Sequence, residues 1–104
     1  SDDASKAKNQ EGLSYQERKE LDKALRKAQK EVEQWEQKIE SLEAKIEDLD
    51  QKLHDPEQFK ELSKQANFYQ DYEADKALLE KHMQAWEKAQ EKLQQLEAKQ
   101  EANA

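Results

Sequence analysis

The amino-acid sequence predicts an all-α protein, a two-helix antiparallel coiled-coil hairpin. Three observations predict it. Apolar residues recur at alternating steps of four and three along most of the chain, which is the a/d stripe of a coiled coil. A lone Asp55-Pro56 step divides that stripe into two arms. One Gly and one Pro in 104 residues leave little material for the tight turns of a sheet.

Composition alone is divided. Leu, Ile, Val and Phe make up about 15% of the residues and the net charge is −7, a combination found in disordered chains. Ala, Glu, Lys, Leu and Arg together make up about 57%, the signature of long helices. Periodicity decides between them, because a regular stripe lets few apolar side chains offset the entropy of ordering the backbone.

Residues 1–13 are polar and aperiodic and read as a flexible linker. Ser14 followed by Glu17 is a capping-box spacing, so the first helix is expected to start at Tyr15. Its stripe is Leu21, Leu25, Ala28, Val32, Trp35, Ile39, Leu42, Ile46, Leu49 and Leu53. A helix over about 15–54 is roughly 60 Å long at 1.5 Å per residue, and so narrow a stripe needs a partner.

His54-Asp55-Pro56 supplies the tip, with Asp55 as cap and Pro56 in the first turn. A returning helix is expected over about 56–97, in a hairpin domain spanning 14–98, with a disordered tail at 99–104. Its stripe reads Phe59, Leu62, Ala66, Tyr69, Tyr72, Leu79, Met83, Trp86 and Leu93. The three-residue step from Tyr69 to Tyr72 would be a stammer. Folding this helix back pairs Leu49 with Leu62, Leu42 with Tyr69, Ile39 with Tyr72, Val32 with Leu79, Ala28 with Met83 and Leu25 with Trp86. Lys76 would then lie over the Trp35 ring. Matching stripes favour a monomer. A dimer of long single helices would bury Pro56 inside a helix, where proline is costly.

No chemistry of catalysis is visible. His54 and His82 stand alone and are expected at solvent-exposed positions, with no zinc spacing around them. There is no Gly-rich phosphate loop. Solvated carboxylates on helices lack the shifted acidity that acid–base catalysis needs. Trp35 and Trp86 fall on the seam and read as packing residues. The expectation is a non-enzyme with no cofactor and no metal. Without cysteine there are no disulfides, and without a long apolar run no membrane span.

Charge is uneven: residues 1–30 sum to about +2, 31–60 to about −6 and 61–104 to about −3. Lys19, Lys23, Arg26, Lys27 and Lys30 take the b, c and f positions of the first helix, away from the seam. They form a basic stripe of roughly 17 Å, a candidate surface for DNA or ribosomal RNA. Glu20 and Asp22 lie close by, so an ordinary solvated face is the competing reading.

The stretch Leu13-Ser14-Tyr15-Gln16-Glu17-Arg18-Lys19-Glu20-Leu21 resembles the opening of the C-terminal domain of ABC-F ATPases, the Uup-like group. The tip Leu53-His54-Asp55-Pro56-Glu57-Gln58-Phe59 and the later Trp86-Glu87 resemble that domain's tip and closing segment. The likeness covers residues 13 to about 97. It implies an accessory domain of a larger cytoplasmic protein with two ATPase domains, bound to DNA or to ribosomal RNA. The other function class is a structural or protein-interaction hairpin, for example one docking on those ATPase domains. A likeness to the tRNA-holding coiled-coil arm of some synthetases rests on shape alone.

Overall fold

The computed structural model describes residues 12–104, so most of the expected 1–13 linker lies outside the described residues. The described chain is all helical: α1 spans Tyr15–His54, α2 Pro56–Ser63 and α3 Phe68–Ala102.

Local chemistry accounts for each boundary. The Ser14 hydroxyl oxygen accepts from the Glu17 N–H at 3.2 Å, and the Ser14 carbonyl accepts from Arg18 N–H at 2.9 Å, which opens α1. At the far end the Asp55 carboxylate accepts from the Glu57 N–H and from the Gln58 amide, both at 3.0 Å. Pro56, which has no N–H to offer, takes the first turn of α2. The hydrogen bond from Gln58, followed by the Glu57 backbone N–H, holds the Asp55 carboxyl below its ordinary range.

The expectation of two helices is corrected here to three. A single helix over 56–97 does not form, because Lys64–Asn67 interrupt it. Asn67 sits at φ 65, left-handed backbone that asparagine tolerates better than most residues. Its carbonyl then accepts from the Asp71 N–H at 2.9 Å, the first bond of the new helix. The Ser63 hydroxyl donates back to the Phe59 carbonyl at 2.7 Å within the last turn of α2. Helix α3 continues past the expected end near 97 to Ala102, so most of the expected disordered tail is helical.

The helices pack in two compact units: residues 12–33 with 87–104, called the terminal unit, and Gln34–Trp86, called the central unit. In the terminal unit Leu21, Leu25, Ala28, Val32 and Ala89 are buried. Gly12 has φ 96, and a Cβ placed there would stand 3.1 Å from the Asn103 carbonyl oxygen. Glycine is therefore required twice over, by backbone conformation and by close approach.

In the central unit only Ile46 and Phe68 are buried. Trp35, Ile39, Leu42, Leu49, Tyr72 and Leu79 are half-buried. The stripe of α1 is the one the spacing predicts, but the stripe of α3 is not. Phe68 is buried, whereas Ala66 and Tyr69 are exposed, and Met83 is 47% exposed. The side of α3 removed from solvent runs Phe68, Tyr72, Asp75, Leu79, His82, Trp86, Ala89, Leu93 and Leu96. That is an unbroken four–three repeat, so the expected stammer is absent.

The expected pairing is corrected with it. Tyr72 meets Asp50 rather than Ile39, since its hydroxyl donates to the Asp50 carboxylate. Lys45 pairs with Asp75 at 2.9 Å, and Trp35 lies against His82 with ring centroids 5.4 Å apart. Residues 56–67, spent on a short helix and a turn, displace the start of α3, which moves the α1 partners of Tyr72, Asp75 and His82 toward the tip.

Candidate nucleic-acid interface

Lys19, Lys23, Arg26, Lys27 and Lys30 all lie on α1 within the terminal unit, and all five are exposed. The buried residues of the same stretch, Leu21, Leu25 and Ala28, fill its a and d positions. One helical turn per 3.6 residues therefore carries the five cations away from the packed side. Among the described residues none of the five takes part in an ion pair, and Glu20 and Asp22 beside them are exposed as well. The fold thus presents five cations along one solvent-facing strip, each on a long stem that can reach a phosphate oxygen.

The units differ in their charge. The described terminal unit holds nine Lys and Arg against nine Asp and Glu, whereas the central unit holds seven against thirteen. Glu40, Glu43, Glu47 and Asp48 of the central unit are exposed. Asp50 is half-buried, engaged by the Tyr72 hydroxyl. That hydrogen bond, and then partial burial, raises the pKa of the Tyr72 phenol above its ordinary value, because it favours the neutral donor.

Two expectations for single residues are corrected by the geometry of the central unit. His82 is half-buried against Trp35 rather than exposed beside the seam. The cation over Trp35 is Lys38, with Nζ 4.5 Å from the ring centroid, while Lys76 lies 5.0 Å over Tyr72. His54 is exposed, and its Nδ1 donates to the Asp50 carbonyl at 2.6 Å. Asp75 and His82 escaped notice because a search for apolar residues passes over polar ones. Counting back in sevens from Leu93 through Trp86, Leu79 and Tyr72, and adding three to each, would have found both.

No group of three or more His, Asp or Glu among the described residues is placed to hold a metal ion. No described helix is long and apolar enough to cross a membrane.

Comparison with known families places this geometry. Residues 23–91, about two thirds of the chain, match the family model of the ABC transporter C-terminal domain. The chain belongs to that family, consistent with the resemblance to ABC-F-type proteins carried by its opening and tip motifs. No curated protein and no solved structure matches it.

Proposed function

We propose that this chain is an antiparallel coiled-coil hairpin serving as the accessory domain of an ABC-F-type ATP-binding protein, binding the phosphate backbone of DNA or ribosomal RNA through the basic face of α1. The carrying observation is the exposed strip of Lys19, Lys23, Arg26, Lys27 and Lys30, set opposite the buried side of its helix. Family membership supports the accessory role and association with ATPase domains. In this reading the chain is non-catalytic, cytoplasmic and monomeric, and it needs no cofactor. Opposed helices explain why Asp50, Lys45 and Trp35 meet Tyr72, Asp75 and His82 in reversed order.

Phosphate contacts carry no base information, so the binding is non-specific. Affinity falls with salt by about 0.7–0.9 log units per log unit of salt for each phosphate neutralised. The acidic central unit repels a polyanion within a Debye length of about 10 Å at 0.1 M salt. Binding is therefore confined to the terminal unit.

Titration with duplex DNA and with structured RNA at low and moderate salt tests this. The triple change Lys23→Glu, Arg26→Glu and Lys27→Glu should abolish binding at unchanged helix content. Equal binding by the triple variant would overturn the assignment. The second reading is a protein-interaction hairpin, favoured by the thirteen acidic residues of the central unit. Capture of the ATPase domains by the triple variant at wild-type strength would support it.

A further inference from the structure

The central part of α3 carries two overlapping stripes. Tyr72, Leu79 and Trp86 recur every seven residues and belong to both. Adding Phe68, Asp75 and His82 gives the stripe that faces inward. Adding Tyr69, Lys76 and Met83 gives a second four–three repeat beside it. The two differ by rotation of α3 about its own axis by about 50°, half of the 100° that separates successive residues of a 3.6-residue turn.

The present seat is poorly matched in oil and well matched in polar contacts. It places Asp75 and His82 on the packed side and leaves Tyr69 53% and Met83 47% exposed. The Trp86 indole N–H is buried, with no acceptor among the described residues. Against these stand the Tyr72–Asp50 hydrogen bond, the Lys45–Asp75 ion pair, the Trp35–His82 contact and the burial of Phe68. The rotated seat reverses the balance. It turns Tyr69, Met83 and the stem of Lys76 toward α1 and lets Asp75 and His82 out to water, at the loss of those polar contacts and of the Phe68 burial. Helix α1 offers Ile39, Leu42 and Ile46 to either stripe.

We propose that the Tyr69–Trp86 stretch of α3 exchanges between these two seats, with the Tyr72–Asp50 and Lys45–Asp75 contacts acting as the latch that holds the present one. Such an element is bistable, because packed side chains settle into discrete arrangements and do not deform continuously. A minor seat within a few kcal/mol of the major one is populated at ~0.1–10%. The turn at Lys64–Asn67 ahead of α3 lets its first residues rotate without being carried by α2.

Met83 is the only methionine, so one methyl resonance reports the exchange in the full chain. In wild type, the 13C-labelled Met83 methyl should show relaxation dispersion on the microsecond-to-millisecond scale. The double change Tyr72→Phe and Asp75→Asn releases the latch and should shift the methyl toward a buried, ring-shielded position, with the second population rising several-fold. Asp75→Leu with His82→Leu improves the present stripe and should remove the dispersion. Circular dichroism confirms that each variant keeps its helix content. The proposal is overturned if the methyl keeps a single exposed shift without dispersion in wild type and in the Tyr72→Phe/Asp75→Asn chain. It is equally overturned if the dispersion survives Asp75→Leu/His82→Leu, since the motion would then belong to the methionine rotamer alone.

Discussion

The terminal and central units use the same heptad spacing to different ends. In the terminal unit small and aliphatic side chains close on one another, and Ala28 and Ala89 are 2% and 5% exposed. Two alanines on packed sides allow close approach, so short side chains exclude nearly all water. In the central unit the packed positions hold Trp35, Tyr72, Asp75 and His82, which keep contact with solvent while Tyr72 bonds Asp50, Asp75 pairs with Lys45, and Trp35 and His82 lie ring against ring. One unit is held by oil and is nearly neutral; the other is held in part by hydrogen bonds and is strongly acidic. A heptad pattern therefore specifies that helices pair, while the residues at its inward positions specify how firmly.

The sharpest break of this comparison is a charge placed in each unit. Leu25→Asp puts an unpaired carboxylate at a position 5% exposed and should remove more than about 3 kcal/mol of stability. Ile39→Asp and Leu42→Asp, at half-buried positions, should lower the melting temperature less. Gln37→Asp, fully on the outside, should stay within about 0.5 kcal/mol of wild type. Thermal unfolding followed by circular dichroism ranks the four, and equal melting temperatures for Leu25→Asp and Ile39→Asp would erase the distinction between the units.

A second contrast concerns volume. Ala89→Leu should overpack the terminal unit and destabilise it by about 1–3 kcal/mol. Ala77→Leu, on the exposed side of α3, should be neutral or slightly stabilising, because leucine and alanine are both strong helix formers. Chemical denaturation of both variants checks the difference.

The Lys45–Asp75 pair sharpens the view of the central unit. Its lysine side chain is 60% exposed and its aspartate 18%. Solvent screens such a pair, so a double-mutant cycle with Lys45→Met and Asp75→Asn should return about 0.2–1 kcal/mol. A coupling near zero would assign the stability of this unit to its aromatic contacts.

The smallest expected effects are those of pH, and they separate the two ends of the range. The Tyr72 value is raised in the folded chain, so its contribution is complete below the ordinary phenol value of 10.0 and is lost as pH rises through the folded value. Tyr72→Phe should flatten the alkaline limb of the stability profile. The Asp55 value is lowered, so its capping contribution is complete above the ordinary value of 3.8 and is lost as pH falls through the folded one. Asp55→Asn should flatten the acid limb, measured as melting temperature against pH.

Much of the first arm was legible in the residues. Ser14 and Glu17 mark the start of α1, and Leu21 to Leu53 mark its packed side without a break, because apolar residues fill every position. The second arm was harder to read. Its interruption contains neither Gly nor Pro, and Ala66 happened to continue the apolar count. Two of its inward positions, Asp75 and His82, are polar, whereas Tyr69 and Met83, one residue beyond Phe68 and His82, continue an apolar spacing that starts from Ala66. The basic strip, by contrast, was fully visible, since outward positions follow from the packed side of α1 alone.

What the amino-acid sequence determined by itself is everything that depends on neighbours within a few residues. The helical class, the caps at Ser14 and Asp55 and the outward cations of α1 all follow from local spacing and local hydrogen bonds. What only the tertiary structure decided is the seat of α3 against α1 in the central unit. Two stripes overlap there, sharing Tyr72, Leu79 and Trp86, and local sequence cannot rank them. The choice rests on contacts between residues far apart in the chain, Tyr72 with Asp50, Asp75 with Lys45 and His82 with Trp35, whose energies exist only once the helices have met.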